Sequence, residues 1–78
     1  MNLEIITPDK KLFSGEIKSV TLPGSDGSFG MLNNHAPIIS SLKKGVVKVT
    51  DLANQVHNFD IKGGVVEMQN NKAILLAE

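Results

Sequence analysis

The most informative stretch of the sequence is residues 22–38, which read LPGSDGSFGMLNNHAPI. This stretch holds three glycines, two prolines, a pair of adjacent asparagines and a histidine. Glycine and asparagine tolerate turn conformations that other residues avoid, and proline fixes its own φ. Strand-like runs flank the stretch, so it predicts a shaped, polar loop surface at one end of a small β domain. Because its residues form no recognisable catalytic constellation, docking is the expected role.

The rest of the chain shows apolar residues at every second position. Val47 and Val49 alternate with Lys48 and Thr50, and most other runs follow the same spacing. Turn signals rich in Gly, Pro, Asn and Asp separate the runs every several residues. This pattern predicts one all-β domain spanning residues 1–78, a sandwich or flattened barrel of eight to ten short strands. No window favours a helix.

Glycines and lysines mark the expected breaks between strands. Gly15 predicts a bulge or bend between a short strand at residues 12–14 and another at residues 20–22. Lys43-Lys44-Gly45 predicts a hairpin turn. Gly63-Gly64 predicts a sharp bend, with the close approach of another chain as the alternative. The alternating positions predict a core of Leu3, Ile5, Phe13, Val20, Leu22, Phe29, Leu32, Ile38, Val47, Val49, Phe59, Ile61, Val66, Ile74 and Leu76.

Composition disfavours several classes of function. The formal charge is zero, with eight basic and eight acidic residues, and no basic stripe or aromatic platform indicates nucleic-acid binding. Cysteine is absent, which removes disulfides and thiolate zinc sites, and the only histidines, His35 and His57, are far apart in sequence. The calcium-loop pattern is also absent, and neither a metal nor a cofactor is expected. No apolar run predicts a transmembrane helix, a secretory signal or direct lipid insertion. These absences fit the cytosolic side of a membrane, and the small core favours support from a partner.

The residues that resemble catalytic or nucleotide sites have simpler interpretations. A phosphate loop needs a helix behind its glycines and usually a GK[ST] ending, and residues 22–38 show neither. No elbow motif presents Asp26 or Ser28 to His35, so a structural or interface histidine is expected there. His57 is expected to be a half-buried histidine of a strand. The dispersed aspartates are expected to cap turns through nearby backbone amides.

Four groups of residues, in their order and spacing, resemble the epsilon subunit family of F-type ATP synthases. They are Phe13-Ser14-Gly15, residues 22–30, His35-Ala36-Pro37 and Gly63-Gly64-Val65-Val66-Glu67, and the similarity covers essentially the whole chain. The resemblance implies a flattened β-sandwich of about ten strands. It also implies a non-catalytic rotor subunit of the central stalk, peripheral on the cytoplasmic face of the bacterial inner membrane. Such a subunit binds the gamma subunit and the c-subunit ring, and passes ion-driven rotation to the remaining ATP synthase subunits.

The resemblance also implies contact residues. The ring-facing loop falls on Ser25, Asp26, Gly27 and Ser28, with Asn33, Asn34 and His35 beside it, and the gamma-facing positions fall on His35, Ser40 and Lys62. Some relatives carry an acidic residue at the position of Ser28, which leaves Asp26 as the carboxylate near the ring. Family members usually continue past the equivalent of Glu78 into a helical hairpin that can block ATP hydrolysis. The resemblance therefore leaves two alternatives for residues 1–78: the N-terminal β-sandwich domain of an epsilon subunit, or a naturally short epsilon subunit without the hairpin and its inhibitory role.

Two other classes remain as alternatives. Biotinyl or lipoyl carrier domains are also flattened β structures of this size with a modified lysine at a hairpin tip, and Lys72 is the candidate here. Its neighbours Asn71 and Ala73 do not form the usual carrier motif. A small hydrolase would require turnover that depends on His35.

Overall fold

The computed structural model describes all 78 residues and contains eight β-strands and no helix. The strands are β1 (Asn2–Ile6), β2 (Lys11–Gly24), β3 (Gly27–Leu32), β4 (Ile38–Leu42), β5 (Gly45–Asp51), β6 (Val56–Ile61), β7 (Gly64–Gln69) and β8 (Lys72–Ala77). The all-β prediction is confirmed. The structure offers no helix of the length and hydropathy needed to cross a membrane.

Strand β2 belongs to both layers of the sandwich. Its first half pairs with β1, and its second half pairs with β3 on one side and β5 on the other. One layer therefore has the order β2 (first half), β1, β8, β7, β4, and the other has the order β3, β2 (second half), β5, β6. The structure has eight strands, the lower end of the expected range, and the two short strands expected at residues 12–14 and 20–22 lie in one continuous strand. The register shift of β2 against β5 falls between Ile17 and Ser19, beyond Gly15.

The segment between β4 and β5 carries the chain from one layer to the other. Strand β4 pairs with β7 over five residues, whereas β5 pairs with β2 and β6. The prediction of a hairpin turn at residues 43–45 is therefore wrong. The Lys43 N–H donates to the Pro23 carbonyl at 2.9 Å, and a Cβ at Gly45 would lie 2.7 Å from Pro23 Cβ. The chain is thus held against β2 at the point where it changes layer.

The two layers meet differently along their two long sides. On one side Phe13 of β2 packs edge-on against Phe59 of β6, with ring centroids 5.9 Å apart. On the other side lie β3 and β4, the outer strands of their layers, since β3 pairs only with β2 and the pairing of β4 with β2 is limited to Leu42 and Gly24. We call this second side the β3–β4 side.

The strand connections gather at two opposite ends of the sandwich. The tip end comprises residues 7–10, 25–26, 43–44, 62–63 and Glu78. The asparagine end comprises Met1 and residues 33–37, 52–55 and 70–71. The residues other than glycine with positive φ all lie at the asparagine end, namely Asn34, Asn54, Asn70 and Asn71, with φ between 54° and 64°. Asparagine tolerates this left-handed conformation better than most residues, which explains its concentration in these turns.

The core is wholly apolar. Sixteen buried hydrophobic residues form one cluster, and no polar side chain is buried. The predicted core residues that are buried are Leu3, Ile5, Val20, Leu22, Val47, Val49, Ile61 and Val66, while Phe13, Phe29, Ile38 and Phe59 are partly buried against the cluster. Met1, Ile17, Met31, Leu42 and Met68 complete the core together with three residues of β8.

Strand β8 faces the core with the residues opposite to those predicted. Ala73, Leu75 and Ala77 are buried, whereas Leu76 is 55% exposed and Ile74 is half-buried on the outer face. The segment KAILLA is apolar on both faces, so alternation alone cannot choose between the two registers. Pairing of Leu75 with Val66 and of Leu3 with Ala73 decides the register. The core assignments of Ile74 and Leu76 are wrong, as is that of Leu32, which is 66% exposed at the end of β3.

Candidate docking surfaces

The turn between β2 and β3 projects from the tip end. Gly24 and Gly27 form the last pair of the two strands, and Ser25 and Asp26 form the turn. The four residues 25–28 are exposed. Gly24 is buried, and a Cβ there would lie 2.6 Å from the Gly27 carbonyl oxygen and 2.8 Å from the Phe29 ring. The turn therefore requires glycine at position 24.

Hydrogen bonds anchor this turn to β4. The Ser25 N–H donates to the Ser41 carbonyl at 3.0 Å, and the two hydroxyl oxygens lie 2.9 Å apart. With the bond from Lys43 to Pro23 described above, three contacts fix the base of the turn. Asp26 belongs to none of the ion pairs of the chain. Its carboxylate is thus presented on a fixed support and remains available to a partner.

The loop of residues 33–37 lies at the asparagine end. The Asn34 N–H donates to Asn71 Oδ1 at 2.7 Å, and the His35 N–H donates to the Leu32 carbonyl at 3.2 Å. The half-buried His35 ring places Nδ1 2.7 Å from the carbonyl oxygen of the next residue. The N-terminal ammonium group contacts Asn33 Oδ1. These contacts fix the loop, and none of them forms a catalytic arrangement around His35.

The two halves of the expected ring-facing set lie at opposite ends of β3. Residues 25–28 occupy the tip end and residues 33–35 the asparagine end, so the strand separates them by about 17 Å. The prediction that they lie beside each other is wrong. The short strand that the sequence suggests at residues 28–32 is present as β3, and its Phe29 and Met31 contribute to the core. This strand separates the two groups of residues.

The expected gamma-facing residues are spread along the length of β4. His35 precedes its first residue, and Ser40 lies in its middle, half-buried and paired with Val66. Lys62 is exposed at the tip end, where its N–H donates to the Glu78 carbonyl at 3.0 Å. The structure does not bring these three residues together. A partner that contacts all of them must lie parallel to the strands.

Gly63 and Gly64 form the predicted bend between β6 and β7. Their φ values are 154° and 153°, and a Cβ at Gly64 would lie 2.3 Å from the Leu76 carbonyl oxygen. A Cβ at Gly63 would lie 3.0 Å from Glu78 Oε1. The close approach that requires these glycines is therefore made by β8 and the end of the same chain.

A second polar cluster lies at the turn between β5 and β6. His57 Nε2 lies 2.8 Å from Asp51 Oδ2, and Asp51 Oδ1 accepts from the Ala53 and Gln55 N–H groups at 2.8 and 2.9 Å. The hydrogen bond from His57, followed by the backbone bond from Gln55, holds the pKa of Asp51 below its ordinary value. The cluster confirms the expected turn-capping aspartate and half-buried strand histidine.

The remaining side chains offer little for chemistry. No group of three or more His, Cys, Asp or Glu side chains could hold a metal ion. Lys72 is the first residue of the central strand β8 and pairs with Asn2 on one side and Gln69 on the other. The hairpin tip belongs instead to Asn70 and Asn71. Lys72 is exposed, but it lies in a strand that is paired on both sides, whereas a swinging carrier lysine lies at the hairpin tip itself.

Sequence reasoning missed an apolar face on the outside of the layer that contains β4, β7 and β8. Its exposed members are Ile39, Val65 and Leu76, which are 71%, 43% and 55% exposed, and the half-buried Ile74 lies with them. Glu67 lies among these residues. Two sequence features could have indicated this face: the doublet Val65-Val66 and the apolar run of β8. Consecutive apolar residues in a strand place one apolar side chain on each face of the sheet.

Comparisons with known proteins give one consistent result. Residues 1–78 match the family model described as the ATP synthase, Delta/Epsilon chain, beta-sandwich domain. The ATP synthase epsilon chain of Chlorobium limicola is 46% identical over 76 residues, which cover 97% of this chain and 86% of that relative. The epsilon chain of Chlorobaculum tepidum is 47% identical with the same coverage. Against the longer epsilon chain of Leptospira borgpetersenii, the identity is 36% and the chain covers 61% of that relative.

Solved structures agree in fold. A chain in the cryo-EM structure of the Euglena gracilis mitochondrial ATP synthase, which includes OSCP, F1 and the c-ring, superposes with a TM-score of 0.90 at 18% identity. The match covers 96% of this chain and 48% of that one. A chain of the Tetrahymena thermophila mitochondrial ATP synthase central stalk and c-ring gives a TM-score of 0.82 at 19% identity, covering 99% and 62%.

Proposed function

The chain belongs to the ATP synthase delta/epsilon family as its β-sandwich domain, and from this membership we propose that it is a non-catalytic rotor subunit of F-type ATP synthase. The family match over residues 1–78 carries the proposal. In this role the domain binds the gamma subunit and the c-subunit ring in the central stalk. It transmits the rotation of the ring, driven by protons, to the catalytic head during ATP synthesis.

A part that transmits torque must resist deformation, and the fold meets this requirement. Of 49 backbone hydrogen bonds, 39 lie within the strand ladders, and bonds from residues 25 and 43 anchor the projecting turn. Paired strands in two packed layers bend less than loops do. Rigid support of the turn favours a mechanical contact over a flexible recognition loop.

The geometry supports separate surfaces for the two partners. We assign residues 25–28 to the ring, because they project from the tip end and present the free carboxylate of Asp26. We assign the β3–β4 side to gamma, because a partner lying parallel to the strands can reach His35, Ser40 and Lys62. Residues 33–34 then contact the ring only if that contact extends along β3. A stable contact buries about 800 Å² per partner. Each of the two contacts must therefore include further residues around those named above.

The domain belongs to a membrane-associated complex, as its bacterial epsilon chain relatives do. Within the proposal, it is a peripheral subunit at the cytoplasmic face of the bacterial inner membrane. Attachment there depends on the ring and gamma, and requires no insertion into lipid.

The proposal is tested in the assembled ATP synthase with Asp26→Ala and the matched control Asp60→Ala. Both aspartates are exposed, and Asp60 lies on β6, away from the β3–β4 side. Asp26→Ala is expected to lower proton-driven ATP synthesis or retention of the chain on the ring, while Asp60→Ala leaves both unchanged. Full proton-driven synthesis in a strain that lacks this chain would contradict the rotor role. A lipoyl or biotinyl mass increment on Lys72 would favour a carrier instead.

A further inference from the structure

Strand β3 has an open edge, and the position of Pro23 in β2 shows which backbone groups of β3 face that edge. Pro23 has no N–H, and its carbonyl accepts from Lys43 on the side away from β3. Pro23 and Ser28 therefore form a non-hydrogen-bonded pair, in which the backbone N–H and C=O groups of each residue point away from the other strand. Antiparallel pairing alternates every residue, so Ser28, Gly30 and Leu32 direct their N–H and C=O groups to the open edge.

The local bonds leave most of these groups unpaired within the chain. The Leu32 carbonyl accepts from the His35 N–H. No turn or loop bond of the backbone uses the N–H or C=O of Ser28 or Gly30. The open edge thus presents two residues, at the two-residue spacing of a strand, each with one donor and one acceptor.

The side chains of β3 do not protect this edge. The strand reads GSFGML and contains no charged residue and no proline. Proteins usually block open edges with such residues. The open strand β6 at the other side of the same layer carries Asp60 and His57. Gly30 and Ser28 are exposed and small, so another backbone can approach without displacing a side chain.

We propose that the open edge of β3 pairs, backbone to backbone, with an extended segment of the gamma subunit. This inference rests on the proposed function and specifies how one of its two contacts is made. The edge is continuous with the β3–β4 side assigned to gamma, and it ends at the loop that carries His35. Strand addition supplies directional bonds at fixed spacing, which suits a contact that must transmit torque. The segment carries small or uncharged side chains opposite Gly30, where a charge would have no partner on β3.

The test uses Gly30→Pro with Gly30→Ala as its matched control, both in the full chain. Proline removes the outward N–H, and an edge strand tolerates it where that N–H faces solvent. A Cβ at Gly30 would lie 3.7 Å from the Val20 carbonyl oxygen, an ordinary contact, so alanine fits and keeps the donor. We expect Gly30→Pro to weaken gamma binding about tenfold or more. Because Gly30→Ala keeps the outward N–H, it is expected to weaken gamma binding much less than Gly30→Pro does.

Amide hydrogen exchange provides a readout that does not depend on the folding of the proline variant. In the wild-type chain, the Ser28 and Gly30 amides are expected to exchange fast when free and to become protected when gamma binds. If gamma binds but these amides stay unprotected and Gly30→Pro binds normally, the edge-pairing inference fails while the proposed function stands. If gamma does not bind the wild type, the proposed function itself fails. Protection that appears with increasing concentration of this chain alone would assign the edge to a second copy and overturn the inference.

Discussion

His57 Nε2 lies 2.8 Å from Asp51 Oδ2, which ties strand β6 to the turn that precedes it. The same carboxylate accepts two backbone N–H groups of that turn. A single aspartate thus holds the turn closed and orients a ring that packs 6.0 Å from Phe13. The His57–Asp51 pair lies on the side opposite the β3–β4 side, so we assign it a role in stabilising the fold.

The Asp51 cluster predicts a pH dependence of stability. The folded-state pKa of Asp51 lies below its ordinary value of 3.8, mainly because of the bond from His57. Its contribution is present above the unfolded-state pKa and is lost as pH falls through the folded-state pKa. Asp51→Asn is expected to flatten the stability profile below about pH 4. Urea unfolding between pH 2 and 6 measures this, with Asp60→Asn as the control. An unchanged acid slope in Asp51→Asn would refute the assignment.

The bend at Gly64 predicts that a side chain at this position strongly lowers the stability of the fold. Gly64→Ala places a Cβ 2.3 Å from the Leu76 carbonyl oxygen at a φ of 153°. The backbone conformation alone costs about 1–3 kcal/mol for a residue other than glycine, and the clash adds to it. Gly30→Ala, at a strand position with free space, should change stability by less than about 0.5 kcal/mol. Thermal unfolding compares the two variants, and equal midpoints would show that the bend tolerates a side chain.

The register of β8 is tested by two neighbouring leucines. Leu75→Ala removes a fully buried side chain and is expected to cost about 2–5 kcal/mol. Leu76→Ala, on the outer face, should change the stability of the free domain by less than about 0.5 kcal/mol. Chemical denaturation of both variants measures the difference. The reverse order would indicate the register in which Ile74 and Leu76 face the core.

The contact between two loops at the asparagine end is tested by neighbouring asparagines. Asn71 accepts the Asn34 N–H through Oδ1, whereas Asn70 makes no such bond. Both have positive φ, so glycine fits the backbone at either position. Asn71→Gly is expected to speed hydrogen exchange of the Asn34 amide, and Asn70→Gly to leave it unchanged. Equal exchange in both variants would mean that the loop near His35 does not depend on this bond.

Local signals were sufficient for much of the fold. Alternation identified Leu3, Val47 and Val66 as core residues, because most residues on the opposite face of each strand are polar. It failed at β8, where both faces are apolar, and at residues 43–45, where turn residues link different layers. Local turn chemistry is the same in a hairpin and in a crossover, so only the pairing partners distinguish them.

The candidate contact surface was likewise predictable from the sequence only in part. The sequence indicated that residues 22–38 carry turn chemistry, and it identified Asp26 and His35 within them. Alternation identified Phe29 as a core residue but did not identify Met31. That residues 27–32 form an edge strand followed only from their pairing with β2. The outer apolar face of β4, β7 and β8 was also hidden, because its residues come from three separate segments.

The linear order of residues was enough to establish the strand class, the positions of the glycines and asparagines that turns need, and the family. These properties depend on side-chain period, on allowed φ values and on motif order, all of which are local or linear. The folded chain was needed to establish which face of β8 is buried, which strands have open edges and how far Asp26 lies from His35. Those properties depend on pairing between distant segments, and the burial of shared apolar surface selects that pairing.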